Sequence, residues 1–348
     1  MRILQLVAIG GRGGTGASVV TLTRVLVQEG HRVWVVCFPK SQVRRALQGT
    51  EGVELITDLN MSPGISPIKS AKDIIKLARL IKREKIEVIH AHSSPDARLA
   101  TAMKLLFPRI TFIRSRHVPL PVKDRIQAHL ADAAVASSFC VKRRLGVRFA
   151  EKARVIYDAY VEGAAAKKGS QHPRVINISR FARVKGLHLF VEALCELRKK
   201  VAFRAKIVGR TTDKSVKEKM ELLKKRFNMH ELELCGFTSS REELYQKGSI
   251  ICLTSVSSEG SSRVAIEASH FGIPVVAHNL CSIGEMVRDK KTGFTTSVGN
   301  YREMAARVLT LMTTPKLYKR LSVNSKGLST RFSKERLLSS YAGVLTRH

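Results

Sequence analysis

The sequence contains no run of about 18 consecutive apolar residues, the length that a helix needs to cross a membrane. Its apolar start, residues 2–9, is short and leads into the glycine-rich residues 10–14 without the small-residue pattern of a signal-peptide cleavage site. We interpret this start as a first β-strand. We therefore expect a protein that is soluble or that adsorbs to a membrane surface.

Paired cysteines and aromatic residues are also scarce. The six cysteines show none of the paired spacings that zinc sites and redox dithiols use. Aromatic residues make up 6% of the chain, and no nucleic-acid-reading motif interleaves them with basic residues. We therefore expect neither a metal site nor a nucleic-acid partner.

Acidic residues are few, and this imbalance is the main feature of the composition. The chain has 61 lysines and arginines against 28 acidic residues, which gives a net charge of +33, and both halves share the excess. So large a charge indicates an anionic partner, and nucleic acid, anionic lipid and a phosphorylated substrate are all consistent with it. A nucleic-acid-binding protein therefore remains an alternative.

The length of 348 residues predicts two domains of roughly 150 residues each. In both halves short β-branched runs alternate with helical patterns, which predicts an α/β fold with two Rossmann-like domains and parallel sheets. We assign residues 1–165 to the first domain, 166–330 to the second and 331–348 to a C-terminal helix. Such domains bind ligands at the carboxyl ends of their strands.

The first strand-to-helix turn, residues 11–16, has the glycine pattern of a dinucleotide-binding site and includes Gly13 and Gly14. An NAD(P)-linked oxidoreductase is therefore a second alternative. The second strand leads into Pro39 and Lys40, however, without the acidic residue that binds a ribose in such enzymes. The turn still allows an anion to approach the backbone and the start of a helix.

Two stretches of the second half contain the candidate functional residues. Residues 177–186 end a strand and include Arg180 and Lys185, cations that suit a diphosphate. In residues 254–269 a strand ends in small polar residues, and Glu259 and Glu267 lie on either side of a helix start capped by a serine. Backbone N–H groups there can hold a phosphate while the carboxylates accept hydrogen bonds from hydroxyls. This combination predicts a site for a sugar nucleotide.

These residues resemble the retaining family-4 glycosyltransferases of the two-domain GT-B type, the group 1 glycosyltransferases. Glu259 and Glu267 match the E-x7-E pair of that family, and Arg180 and Lys185 match its R-x4-K-G pattern. Further similar segments include residues 206–209, 234–237, 282–285, 292–294 and 115–117. Two segments depart from the family pattern: residues 158–159 are Asp-Ala in place of Asn-Gly, and residues 261–262 are two serines where an aromatic residue is common.

The resemblance implies two Rossmann-like domains facing a central cleft, with a nucleoside-diphosphate sugar bound mainly to the second. It implies transfer with retained anomeric configuration, without a metal or cofactor, because cations stabilise the leaving diphosphate. Glu267 would bind the ribose, Glu259 the transferred sugar, and Phe237 would border the base. The catalytic residues would be Glu259, Arg180, Lys185 and His117. The donor-binding residues would be Glu267, Gly260, Ser261, Ser262, Gly209, Phe237, Gly13 and Gly14.

The acceptor is predicted from the basic residues of the first domain. A helical spacing of three and four places five cations along one stripe: Lys69, Lys72, Lys76, Arg79 and Arg83. The opposing side, expected in the core, contains Ala71, Ile74, Ile75, Ala78 and Ile81.

This stripe favours a phosphorylated glycolipid or polysaccharide acceptor, such as a lipopolysaccharide core or a lipid-linked glycan, at an anionic membrane surface. We expect a hexosyl- or heptosyltransferase, cytoplasmic and peripheral at the inner face of the cytoplasmic membrane. A sugar-nucleotide epimerase of similar two-domain shape is the third alternative.

Overall fold

The computed structural model describes residues 1–8, 14–61, 67–120, 125–161, 174–238 and 240–345. Two compact units divide the chain: Met1–Val161 together with Ser333–His348, and Glu162–Phe332. Each unit is an α/β domain with one parallel sheet. The predicted α/β class with two Rossmann-like domains is confirmed.

The first unit alternates strands and helices up to residue 155. Its strands are β1 (Arg2–Val7), β2 (Arg32–Cys37), β3 (Val53–Ile56), β4 (Val88–Ala91), β5 (Thr111–Arg116), β6 (Ala133–Ala136) and β7 (Ala153–Val155). Its helices are α1 (Gly14–Gln28), α2 (Gln42–Leu47), α3 (Pro67–Glu84), α4 (Ser94–Leu106), α5 (Arg125–Leu130), α6 (Phe139–Arg143) and α7 (Val147–Lys152).

The second unit repeats the alternation. Its strands are β8 (Arg174–Ile178), β9 (Arg204–Val208), β10 (Leu232–Cys235), β11 (Ser249–Leu253), β12 (Val275–His278) and β13 (Gly293–Thr296). Its helices are α8 (Leu187–Arg198), α9 (Lys214–Arg226), α10 (Arg241–Leu244), α11 (Arg263–His270), α12 (Ile283–Met286), α13 (Tyr301–Thr313) and α14 (Pro315–Leu328), and α15 (Lys334–Leu345) follows it.

The strands form because they are short runs of β-branched and apolar residues that a parallel sheet buries on both faces. In β2, for example, every residue from Val33 to Cys37 is buried, including Trp34. Several helices begin at a side-chain cap, as α13 does where Asn300 accepts a hydrogen bond from the N–H of Glu303 at 3.0 Å. Local sequence and burial therefore specify the same elements.

The strand orders place the ligand-binding edges. The first sheet runs β3-β2-β1-β4-β5-β6-β7 and the second β10-β9-β8-β11-β12-β13. In each sheet the order reverses beside the first strand, between β1 and β4 and between β8 and β11. Ligands of such sheets bind outside the carboxyl ends of the strands at this reversal. We therefore expect ligand-binding sites in the loops after β1, β4, β8 and β11.

In the first unit, helix α15 is packed into the core, whereas helix α3 is partly exposed. Helix α15 packs on the first sheet, where Leu337, Tyr341 and Val344 are buried together with residues of α1 and β1. In α3 the expected core side is only partly right: Ile81 is buried, but Ala71 is exposed and Ile75 is 50% exposed. The residues of α3 that are buried in the core are Leu77, Leu80 and Ile81. No helix within the described residues is both long and apolar enough to cross a membrane.

Candidate functional site

The loop after β8 presents Lys185 through a left-handed turn. A 3-10 turn, Arg183–Lys185, ends at Gly186, whose φ of 56° glycine adopts without strain. A Cβ at Gly186 would touch the carbonyl oxygen of Thr254 and lie 2.8 Å from Val256 Cγ1. The Thr254 hydroxyl donates to the carbonyl of Lys185 at 2.9 Å. The glycine therefore lets the loop after β8 lie directly against the loop after β11.

Lys185 and Glu259 form an ion pair at this junction. Their side chains are only 18% and 12% exposed. The Ser255 hydroxyl donates to Glu259 Oε1 at 2.6 Å and lies 3.3 Å from Lys185 Nζ. Two of the predicted catalytic residues are thus in contact, in a setting where charges are shielded from water. Arg180, the predicted partner of Lys185, is exposed at the same end of β8.

Glu267 lies in α11 and is 4% exposed. Tyr245 donates its hydroxyl to Glu267 Oε2 at 2.9 Å, and Arg263 Nη2 lies 3.7 Å from Oε1, one helical turn away. The Tyr245 ring stacks on Phe271, with 5.0 Å between the ring centroids. The orientation of this carboxylate is therefore fixed from two sides.

The turn between the two glutamates carries small polar groups. Ser262 caps α11, since its hydroxyl accepts from the N–H of Ala265 at 3.4 Å. The N–H of Ser262 itself faces the sulfur of Met286 at 3.2 Å, so it is less available to a ligand than the sequence predicts. The hydroxyl of Ser261 is buried and has no hydrogen-bond partner among the described residues. Among the described residues, the buried hydroxyl of Ser261 therefore still lacks a hydrogen-bond partner in this turn.

Gly209 and Phe237 follow β9 and β10. A Cβ at Gly209 would collide with the backbone of Ser179, so glycine is needed where the ends of β8 and β9 pass each other. Phe237 is 53% exposed, and the Arg210 guanidinium lies 4.3 Å from its ring centroid. This pair forms an open stacking surface at the carboxyl end of the second sheet.

In the first unit His117 follows β5 and borders a small cavity. Its Nε2 lies 3.2 Å from Nδ1 of His92, and the two rings stack with 5.5 Å between centroids. The rest of the lining mixes polar residues, among them Ser18, Thr21, Arg116, Ser137, Tyr157, Asp158 and Tyr341, with the apolar residues Leu22, Val135, Ile156, Ala159 and Leu337.

Three imidazoles in this region are held neutral. Burial lowers the pKa of His90 to about 3 and, with the charges of Arg114 and Arg116 against that of Asp158, lowers the pKa of His117 to about 4. The pKa of His92 is also lowered well below its ordinary value by burial.

We expect the free energy of unfolding of the first unit to fall by about 1 kcal/mol per buried imidazole as the pH is lowered from 6.5 to 5.5. The folded-state pKa values lie below the ordinary value of 6.5, so the unfolded chain takes up protons that the folded chain does not. This stability is complete above pH 6.5 and is lost on acidification. Trp34 is the only tryptophan and is 1% exposed, so its fluorescence in urea measures this unit.

A variant pair provides the control for this pH dependence. His90→Gln removes one buried imidazole and should flatten the dependence, whereas His188→Gln changes an imidazole of the second unit and should leave the Trp34 transition unchanged. A urea midpoint that does not move between pH 6.5 and 5.5 would contradict the expectation.

The glycine turn of the first unit is described only in part. Gly13 lies outside the described residues, and Gly14 is exposed as the first residue of α1. Before the turn, Asp96 accepts hydrogen bonds from the N–H of Ala8 at 2.6 Å and of Ser93 at 2.7 Å. Asp96 thereby ties the end of β1 to the start of α4.

Sequence reasoning missed Tyr245, Arg263 and Asp96, and it noted His92 only for its alternation with His90 at a strand end. Only Asp96 had a local signal, the Ser-x-x-Asp pattern of residues 93–96 that indicates a helix start. The described part of the chain contains no group of three or more His, Cys, Asp or Glu side chains arranged to hold a metal ion.

Fold and site together define a two-unit α/β protein whose second sheet carries charged and small polar side chains at the carboxyl ends of its strands. Two family profiles match the chain: "Glycosyl transferases group 1" over residues 163–327 and "Glycosyltransferase Family 4" over residues 12–159. The chain belongs to these family-4, GT-B type glycosyltransferases. This membership supports a glycosyltransferase rather than the oxidoreductase, epimerase and nucleic-acid-binding alternatives.

Individual relatives agree with this assignment. An uncharacterized glycosyltransferase of Methanocaldococcus jannaschii is 26% identical over 286 residues, which cover 78% of each chain. The crystal structure of HepE from Anabaena, in complex with UDP and glucose, is similar with a TM-score of 0.82 at 19% identity, over 100% of both chains. The apo form of WaaB, a lipopolysaccharide outer core galactosyltransferase, has a TM-score of 0.76 at 16% identity, over 99% of both chains.

Proposed function

We propose that the chain transfers a sugar from a UDP-sugar to a phosphorylated glycolipid or polysaccharide, with retained configuration and without a metal or cofactor. The observation that carries the proposal is the cluster of Lys185, Ser255 and Glu259, with Glu267 in the next helix, at the strand-order reversal of the second sheet. The UDP and glucose bound by HepE support the choice of donor.

Each side chain of the cluster has a distinct role in donor binding. Glu267, held by Tyr245 and Arg263, accepts hydrogen bonds from the ribose hydroxyls. Lys185 and the exposed Arg180 bind the diphosphate. Lys185 is paired with Glu259 in the structure, and the greater negative charge of a diphosphate draws it away, which frees Glu259 to bind hydroxyls of the transferred sugar.

The transfer step exchanges one bond for another at the anomeric carbon. The bond from the sugar C1 to the diphosphate oxygen breaks, the acceptor oxygen bonds to C1 on the same face, and the acceptor proton passes to the leaving phosphate. Lys185 and Arg180 stabilise the charge that develops on the diphosphate, the function that a metal ion has in other enzymes. We assign His117 to contact with the transferred sugar, and we assign no side chain as a nucleophile.

A ligand panel tests the proposal most directly. UDP, GDP, ADP and their common sugars are added to the purified protein, and its melting temperature is measured, because a ligand that binds only the folded state raises it. We expect the largest increase with UDP and UDP-sugars in the presence of EDTA. Stabilisation by GDP or ADP alone would overturn the choice of UDP, and a response that requires a metal would overturn the metal-free mechanism.

Tyr245→Phe is expected to weaken UDP binding by about tenfold, because the hydrogen bond that orients the charged Glu267 is lost. Isothermal titration calorimetry with UDP measures this. The matched control is Tyr318→Phe, which removes another tyrosine hydroxyl of the second unit, the donor to the carbonyl of Ser249 at 2.9 Å. Equal UDP affinity in wild type and Tyr245→Phe would show that the ribose does not depend on this carboxylate.

The basic residues of α3 support an acceptor at an anionic surface. Lys72, Lys76 and Arg79 are all exposed, and the half-exposed Ile75 lies among them, an arrangement typical of helices that rest on lipid headgroups. The activity of WaaB on lipopolysaccharide supports the same acceptor class. We place the protein in the cytoplasm, peripheral at the inner face of the membrane, as a hexosyl- or heptosyltransferase.

Vesicle binding tests this surface. Replacing Lys72, Lys76 and Arg79 by glutamine should weaken binding to phosphatidylglycerol vesicles at least about tenfold, since each cation near such a surface contributes on the order of 1 kcal/mol. The control replaces the exposed Lys214, Lys219 and Lys225 of α9 in the second unit, an equal change in net charge. Cosedimentation at increasing salt measures both variants, and equal losses would assign the attraction to net charge rather than to α3.

A further inference from the structure

A row of polar side chains crosses an otherwise apolar face of the first sheet. Gln5 on β1 is in register with His90 on β4, and Ser115 lies two residues beyond the partner of His90 on β5. The same face buries Ile3, Val88 and other apolar residues under α1 and α15. Gln5, His90 and Ser115 are each at most 2% exposed. Burying polar groups in such a layer costs free energy unless they are hydrogen-bonded. The hydrogen-bond partners of these side chains therefore indicate the function of the row.

The row leads to His117, the histidine that is proposed to contact the sugar. Oε1 of Gln5 lies 3.2 Å from Nε2 of His92. Nδ1 of His92 lies 3.2 Å from Nε2 of His117. His92 is 4% exposed, whereas His117, which lines the same cavity at the carboxyl edge of the sheet, is partly exposed. Two contacts therefore connect a fully buried amide to an imidazole that a ligand can reach.

The chemistry of these contacts sets the positions of the protons. An amide oxygen can only accept a hydrogen bond, so the Nε2 of His92 carries its proton. Because a neutral imidazole has one donor and one acceptor, the Nδ1 of His92 accepts, and the Nε2 of His117 must donate to it. The Nδ1 of His117 is then left with a lone pair.

We propose that Gln5 and His92 are positioning residues that hold His117 in its Nε2–H tautomer, so that its Nδ1 accepts a hydrogen bond from a sugar hydroxyl. The inference deepens the proposed function and rests on the contact of His117 with the sugar that is proposed there. The reactive sugar is thus met by a neutral acceptor and not by an imidazolium donor.

The groups around His117 are consistent with this neutral state. Arg114 and Arg116 are cations of the same strand and lower the pKa of His117, whereas Asp158 raises it. The ring of His90 lies beside that of His92, with 4.1 Å between ring centroids and 40° between ring planes, and its Nε2 lies 2.7 Å from the hydroxyl of Ser115. The ring of His90 thereby supports the ring of His92 from the side, which limits its rotation.

Long-range nitrogen–proton correlation spectra of protein labelled with ¹⁵N-histidine test the inference, because they show which ring nitrogen carries the proton. In the wild type at pH 7.5 we expect His117 and His92 both as Nε2–H tautomers, assigned through His117→Gln and His92→Asn. His117 protonated at Nδ1, or at both nitrogens, would overturn the proposal whatever the variants show.

The variants separate positioning from packing. His92→Leu removes the acceptor and should leave His117 as a mixture of tautomers, while His92→Asn, whose side-chain oxygen can take the place of Nδ1, should restore the Nε2–H form. Gln5→Leu should release His92 in the same way. The control is Thr23→Val, which removes a fully buried hydroxyl of α1 that has no partner among the described residues. An unchanged His117 tautomer in His92→Leu would also refute the inference.

Activity provides the second readout. The rate of sugar transfer should fall on the order of 10- to 100-fold in His92→Leu, as is usual for groups that orient a functional imidazole, and return to within about threefold of wild type in His92→Asn. UDP affinity should stay unchanged in both, because UDP binds the second unit. Expected tautomers without any sugar transfer by the wild type would sink the proposed function alone, whereas transfer with the wrong tautomer would sink only this inference.

Discussion

Replacing Lys185 by alanine is expected to weaken UDP binding by about 100-fold. The residue contributes a shielded positive charge to the diphosphate site, and hydrogen bonds to charged groups are worth up to about 3 kcal/mol each. The substitution also leaves the carboxylate of Glu259 with only the Ser255 hydroxyl as its described side-chain partner, and this unpaired charge repels the diphosphate. Calorimetric titration with UDP measures the loss.

The matched control for this variant is Lys206→Ala. Lys206 also pairs with a glutamate, Glu233, at 2.7 Å, but the two side chains are 37% and 60% exposed. Exposed pairs contribute little, so UDP affinity should remain within about twofold of wild type. If Lys185→Ala behaved like this control, the assignment of the diphosphate to the loop after β8 would be wrong.

Gly186→Ala is expected to lower the free energy of unfolding of the second unit by about 3 kcal/mol or more. The left-handed backbone costs a residue with a Cβ about 1–2 kcal/mol, and the added carbon would also press on the carbonyl of Thr254. Relief of that contact moves the loop after β11, so UDP affinity should fall as well. Hydrogen exchange of the β8 and β11 amides measures the stability.

Gly299→Ala separates the two costs. Gly299 also belongs to the second unit and has a φ of 85°, but a Cβ there would meet nothing within 4 Å. Its replacement should therefore cost only the backbone contribution and leave UDP binding unchanged. Equal losses in the two variants would mean that close packing of the two loops does not matter.

The arrangement of the proposed donor site could be predicted because it depends on local order along the chain. Lys185 and Glu259 each follow a strand, and the parallel order of the strands brings such loops to one edge regardless of side-chain detail. The contact between these two residues, 74 positions apart, follows from the adjacency of β8 and β11. Periodicity and strand-end position are therefore sufficient for this part of the site.

The residues that support the site could not be predicted, because their contacts depend on how elements distant in sequence pack together. Tyr245 reaches Glu267 from the segment that follows α10, and no spacing in the sequence relates the two. The contact of His92 with His117 depends on which face of β4 and β5 is covered by α1 and α15. The exposure of Ile75 has the same origin, since the core side of α3 is set by the elements it packs against and not by apolar content alone.

The course of the chain also dictates an order of assembly during synthesis. The first unit needs α15, whose Leu337, Tyr341 and Val344 complete the core beside β1, and these residues are translated after the whole second unit. While the ribosome is still translating the second unit, the apolar face of the first sheet that α15 will cover has no partner from its own domain. The second unit, by contrast, is one continuous segment and can fold as soon as it has emerged. A nascent chain stalled before residue 333 would therefore hold a complete second unit and an incomplete first unit.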